Sequence, residues 1–293
     1  MRFVLIAIAL ILSACATAPS SAQEGAAISV GASYTLTSQV LGDERQINIR
    51  APQGGEEGRR YTTLYVIDGA LDQDFTHIAG LGQLGELSWQ YEPLIIVGVQ
   101  TRTRIHELTP PATDARYRSA FPNAGGAAAF RRFLEREMIP FVEARYPTGA
   151  RRAVMGESLA GLFVVDTMLQ QPALFNDYIA ISPSLWWDDR SLARGAGDAL
   201  ARHDTSDRRL YLAIANEGGT MQDGVDRLRR AIDATPGRIS LHYADRSATD
   251  SHSTIYHAAA LDALRALYAI PPYDYGPSPW YMIEGASPPA TTP

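Results

Sequence analysis

From residue 34 onward the chain alternates two kinds of apolar pattern. Short runs rich in Val, Ile, Leu, Tyr and Thr occupy residues 34–41, 46–51, 62–67, 94–99, 152–155, 178–182, 209–215 and 239–243. Most are bounded by Gly, Pro, Asp or Asn, the usual punctuation of β-strands. Segments with helical spacing follow the later runs, at residues 127–145, 159–170, 191–203, 221–234 and 254–268. Strand alternating with helix predicts a mostly parallel sheet of about eight strands covered by helices on both faces. The first two runs are joined through Gly42-Asp43, a turn signal, and so predict an antiparallel start to that sheet. No internal repeat is visible.

The extreme N-terminus has a different pattern. After Met1-Arg2, residues 3–12 are uncharged and apolar, too short to span a bilayer comfortably but suited to the core of an export signal. The segment ends Leu12-Ser13-Ala14-Cys15, which resembles a bacterial lipobox, and Cys15 is the single cysteine of the chain. Residues 1–14 are therefore expected to be a lipoprotein signal peptide and Cys15 the lipidated first residue of the mature protein. An ordinary signal peptide cut near Ala22 is the alternative. Ala16 after the cysteine implies sorting to the outer membrane, facing the periplasm of a Gram-negative cell envelope. Several acyl chains at about 0.8 kcal/mol per buried methylene would make such an anchor stable. Residues 15–27 are rich in Ala, Ser and Pro and read as a flexible tether, and residues 287–293 as a loose tail. Residues 28–286 then form one domain.

Composition narrows the function. The 293 residues carry a net charge of -6, and no cluster of basic residues interrupts that balance, which argues against a nucleic-acid partner. All 26 basic residues are Arg. With no Lys in the chain, a phosphate-loop lysine, a Schiff-base lysine and a Ser-Lys pair are all excluded.

The chemistry gathers around Ala153-Val154-Met155-Gly156-Glu157-Ser158-Leu159-Ala160-Gly161, where a serine stands between an apolar strand run and an apolar helix run. Small residues at 156, 160 and 161 let strand and helix nearly touch, the layout of a nucleophile elbow. Ser158 cannot attack unaided at neutral pH, so it needs a base and an acid to orient that base. Only His252 of the six histidines lies in the loop directly after the last strand run; His257, five residues on, is its rival. Glu217 ends the seventh run, where the acid is expected. Asp223, Asp226, Asp188 and Asp189 remain alternatives. For the oxyanion, one donor is the amide of Leu159 and the other that of Gly69 or Ala70, after the third run. The chemistry so read needs no cofactor and no metal.

Other stretches carry a resemblance: Tyr65-Val66-Ile67-Asp68-Gly69, Ile96-Val97-Gly98-Val99, Arg104-Ile105-His106-Glu107-Leu108-Thr109-Pro110, residues 130–140, and Ile181-Ser182-Pro183-Ser184-Leu185-Trp186-Trp187. With them the chain resembles the Putative esterase family of the α/β-hydrolases, which includes siderophore and esterase-D-like enzymes, over residues 34–268. The resemblance implies an α/β-hydrolase fold, a serine esterase acting through an acyl-enzyme, and Ser158, Glu217 and His252 as its triad. Ala160 departs from the usual glycine and Glu157 from the histidine common before the serine. Arg102, Arg104, Trp186 and Trp187 follow strand ends and suit aromatic, anionic acyl groups such as siderophore catecholates. A carbohydrate-ester or other envelope hydrolase and a catalytically silent binding lipoprotein are the competing expectations.

Overall fold

Eight strands form one sheet: β1 (Ala32–Thr37), β2 (Glu44–Arg50), β3 (Tyr61–Ile67), β4 (Leu94–Val99), β5 (Thr148–Glu157), β6 (Asp177–Ile181), β7 (Arg209–Ile214) and β8 (Ser240–Asp245). Their spatial order is β1-β2-β4-β3-β5-β6-β7-β8. The computed structural model describes residues 25–53, 57–271 and 276–288, so the expected signal peptide and Cys15 lie outside the described residues. β1 pairs antiparallel with β2, and β2 antiparallel with β4; every later pairing is parallel. The antiparallel start arises as expected, with Gly42 at φ 75° in the turn and the Ser38 N–H closing it onto the Asp43 carbonyl.

Burial of both sheet faces explains why the central strands read as continuous apolar runs. One face packs Tyr65, Val97 and Val154 against Phe130, Phe163 and Leu228; the other packs Val66, Ile96 and Met155 against Ile78, Ala260 and Leu264. The helices on the second face are α1 (Phe75–Ser88) and, at the end of the chain, Ile255–Tyr268. Between them in sequence come α2 (Arg104–Leu108), α3 (Ala115–Ala120), α4 (Ala127–Phe133), α5 (Ile139–Glu143), α6 (Leu159–Gln170), α7 (Trp187–Arg194), α8 (Ala196–Arg202) and α9 (Gly219–Asp233), which makes Ile255–Tyr268 α10. No helix among the described residues is long and apolar enough to cross a membrane.

Two local findings differ from the expected pattern. The segment expected as one helix over residues 127–145 is α4 and α5 joined by a π-helical turn, Leu134–Met138. That widened turn stands directly before Pro140, whose ring in a regular helix would collide with the carbonyl four residues back. Helix α1 has no counterpart in the sequence pattern because Gly80, Gly82 and Gly85 lower its propensity by about 1 kcal/mol each. Packing requires two of them: a Cβ on Gly82 would sit 2.3 Å from Ile96 Cδ1, and one on Gly85 2.0 Å from the Tyr91 ring.

Candidate active site

The turn from β5 into α6 holds Ser158 at φ 60°, ψ -117°, a strained conformation that lifts its side chain clear of the backbone. Small neighbours make the turn possible. A Cβ on Gly156 would lie 2.6 Å from the Ala160 carbonyl carbon, and one on Gly161 3.0 Å from the Ile181 carbonyl oxygen. Ala160 itself is fully buried, and its methyl fits where the strict motif has glycine. Main-chain bonds fix the turn: the Ser158 N–H donates to Ile181 at 3.0 Å, and the Ser184 N–H to the Ser158 carbonyl at 2.9 Å. Asp68 after β3 and Ser182 after β6 are also at positive φ, so left-handed residues cluster at one edge of the sheet.

At that edge the structure brings together Ser158, His252 and Glu217. His252 Nε2 lies 3.0 Å from Ser158 Oγ and its Nδ1 lies 2.9 Å from Glu217 Oε1. With Glu217 as an acceptor, Nδ1 carries the proton and Nε2 offers a lone pair to the serine hydroxyl. The loop bearing His252 is tied down by the Asn216 N–H donating to Asp250 and by Arg246 bridging Asp250 and Asp262. The hydrogen bond to Glu217, against some desolvation, holds the imidazole pKa above its ordinary value.

The rival residues sit elsewhere. His257 Nδ1 faces His77 Nε2 at 2.8 Å. Asp188 accepts from Thr113 and Asp114, Asp189 pairs with Arg190 and Arg194, Asp223 with Arg227, and Asp226 accepts from Gln222.

Leu159 lines the cleft at the head of α6, where no helical carbonyl can reach its amide. For the second oxyanion donor the correction concerns Gly69, one of the two expected residues. The Gly69 N–H donates to the Val99 carbonyl at 2.8 Å, extending the sheet, and is not free for a ligand. The Ala70 N–H is held by the Gln73 side-chain oxygen at 3.0 Å, a partner that a side-chain rotation could release.

An open cleft of about 530 Å³ surrounds the serine, lined by Arg104, Leu159, Ser184, Trp186, Met221 and His252 among others. Two of the four expected substrate contacts do not reach it. Trp187 is fully buried and its Nε1–H donates to the Pro110 carbonyl, making it a core residue. Arg102 lies 3.6 Å from Asp43, outside the lining. Arg104 borders the cleft with its side chain 43% exposed and its guanidinium 2.7 Å from Asp68, whose carboxyl also accepts from Thr101. Trp186 continues into an aromatic wall with Tyr117 and Phe121, ring centroids 6.3 Å away in each case.

Sequence reasoning missed two site residues. Ser184 Oγ lies 3.3 Å from Ser158 Oγ, and Glu157 Oε1 lies 3.4 Å from His252 Nε2. Glu157 adjoins the nucleophile in the chain, a signal that was available. Ser184 comes from the loop after β6, and only the fold delivers it.

The sheet order, the elbow and the convergent serine, histidine and glutamate define an α/β-hydrolase. A model of the Putative esterase family matches residues 38–259, and the chain belongs to that family. Among curated proteins it is 36% identical over 115 residues to a siderophore triacetylfusarinine C esterase of Aspergillus fumigatus, covering 39% of this chain and 37% of that one. It is 34% identical over 109 residues to the ferri-bacillibactin esterase BesA of Bacillus subtilis, covering 33% and 38%. The matched stretch thus spans less than two fifths of either relative. Of solved structures, an IroE-like serine hydrolase from Shewanella oneidensis superposes with a TM-score of 0.73 at 25% identity, over 81% of this chain and 80% of that one.

Proposed function

We propose that the protein is a serine ester hydrolase acting on siderophore-type or related aromatic esters. The observation that carries this is the hydrogen-bonded relay Ser158–His252–Glu217, with 3.0 Å and 2.9 Å steps, opening on a cleft. Ser158 Oγ attacks the ester carbon as its proton passes to His252 Nε2, and Glu217 stabilises the imidazolium so formed. The developing oxyanion is met by the Leu159 amide and, once Gln73 rotates away, by that of Ala70. The imidazolium then protonates the leaving alcohol, and water activated by the same imidazole releases the acid from Ser158.

The cleft wall bears on the substrate class. Trp186 offers an aromatic face, and Arg104 a cation, to an acyl group that is both aromatic and anionic. The relatives named for siderophore esterases support the same reading.

Replacing Ser158 with Ala should lower kcat for a p-nitrophenyl ester by roughly 10⁶-fold. Undiminished turnover would exclude the serine as nucleophile. A cyclic catechol triester compared with short-chain and sugar esters tests the substrate. Preference for the sugar ester would favour a different envelope hydrolase, and absence of both turnover and fluorophosphonate labelling would favour a silent binding protein.

The cellular place proposed is a lipid anchor at Cys15 on the periplasmic face of an outer membrane. Its support is the apolar residues 3–12 followed by the lipobox-like sequence. Cys15→Ser should move the protein from the membrane to the soluble fraction of an expressing cell; retention in membranes would refute the anchor.

A further inference from the structure

We propose that Glu157 is a positioning residue for the general base, its carboxyl group facing the Nε2 edge of His252 and deciding when that nitrogen is free to take the serine's proton. This rests on the esterase reading above. Three groups contact the imidazole: Glu217 Oε1 at 2.9 Å from Nδ1, Ser158 Oγ at 3.0 Å from Nε2, and Glu157 Oε1 at 3.4 Å from the same Nε2. A serine hydroxyl can donate to a lone pair on Nε2, whereas an ionised carboxylate can only repel it. Two arrangements relieve the repulsion. Either Glu157 is protonated, or Nε2 is protonated and the imidazolium lies between two carboxylates. Both hold one proton more than the state in which neutral His252 serves Ser158 and Glu157 is ionised.

The surroundings favour keeping that proton near neutral pH. Glu157 is at the end of β5 with its side chain only 19% exposed. Burial pushes its carboxyl up to about 7; His252 and Arg104 work against the rise, while Asp74 and Glu217 add to it. Toward His252, Glu157 acts in the same direction as the Glu217 hydrogen bond and opposite to desolvation and Arg104. The other groups packed around are Asp68, engaged by Arg104, and the half-buried Tyr256 on α10, whose hydroxyl oxygen is enclosed and whose pKa is pushed up by desolvation and by Asp74, Asp68 and Glu157. Ser184 Oγ, beside Ser158, carries no charge.

Glu157 thereby acts on two parts of the reaction. Before attack, the proton shared with His252 must leave, so activity rises as pH passes upward through the titration of the pair. During attack, the Oγ–H bond breaks, its proton goes to Nε2, and the carbonyl π electrons move to oxygen. The new imidazolium then lies between the Glu217 and Glu157 carboxylates. The same proton leaves with the alcohol as the ester C–O bond breaks, restoring the neutral ring.

The test compares wild-type protein with Glu157→Gln, which keeps shape and removes charge. For the variant, the acid-limb midpoint of kcat/KM should fall by about one pH unit, and the plateau should drop by roughly tenfold as one imidazolium partner is lost, about 1.4 kcal/mol. A purely structural role would lower the plateau with the midpoint unmoved, and that result overturns the proposal. The His252 imidazole is followed in parallel by NMR in a Ser158→Ala background, which needs no substrate; its midpoint should move down by a similar amount. If no ester is turned over but this midpoint moves, the esterase reading fails and the Glu157–His252 coupling stands. Should the glutamine variant not fold, Glu157→Asp withdraws the carboxyl by one methylene, and an unmoved NMR midpoint there also overturns the proposal.

Discussion

Trp186 and Trp187 are chemically identical neighbours serving different purposes. Trp187 is fully buried with its indole N–H bonded to Pro110, whereas Trp186 borders the cleft. Trp187→Ala should destabilise the fold by about 3–5 kcal/mol in denaturant titrations, because it leaves a large cavity and an unmatched carbonyl. Trp186→Ala should leave that midpoint nearly unchanged while raising KM for aromatic esters about tenfold and for acetyl esters much less. Equal effects of the two variants on stability would contradict the assignment. No pattern along the chain distinguishes the pair, since both follow β6, a strand buried along its whole length. The serine, histidine and glutamate were legible for the opposite reason: each ends or follows a strand, in the chain order that the α/β-hydrolase fold uses. Glu157 adjoins the serine, yet its contact with His252 depends on a loop 95 residues further along the chain.

Among the elements, the β5–α6 elbow follows from local composition. Gly156, Ala160 and Gly161 are small where backbone atoms approach to contact, and the positive φ of Ser158 follows from the sharp reversal. Helix α1 is the counterexample. Its glycines argue against a helix locally, and only the ridge of Ile96 and the ring of Tyr91 supply the reason for them. The π-helical turn before Pro140 is intermediate, since a proline announces a disturbance without saying how the chain absorbs it. Of the two expected second oxyanion donors, Gly69 drops out for a related cause, which leaves Ala70. Gly69 follows β3 in sequence, but its N–H continues the pairing with β4 for one more bond.

Across the whole molecule the sheet is closed below by an ionic pillar on the side away from the cleft. Asp177, fully buried at the start of β6, accepts from Arg151, Arg209 and the Tyr268 hydroxyl, joining β5, β7 and α10. Burial alone would raise its carboxyl pKa, but the hydrogen bonds from Arg209 and Arg151 outweigh that and hold it below the ordinary value. A carboxyl depressed in the folded state stabilises the fold above its unfolded value of about 3.9, and the contribution disappears as pH falls through the folded value. Asp177→Asn should therefore cost about 3 kcal/mol near neutral pH. In urea titrations the gap between wild type and variant should stay constant from neutrality down to about pH 4 and shrink below it. A gap that persists unchanged at lower pH would show that packing, and not charge, makes the pillar stabilising.

The order of apolar runs, the small residues about Ser158 and the positions of Glu217 and His252 after strand ends were decided by sequence, because each depends on spacing within a few residues and on the rule that parallel strands share one edge. Which tryptophan meets the cleft, which amide is taken up by sheet pairing, and that a second carboxyl reaches the imidazole were decided only when strands distant in sequence were set side by side. Those outcomes turn on differences of an ångström or less between atoms tens of residues apart, and no local pattern of apolar and polar positions carries that information.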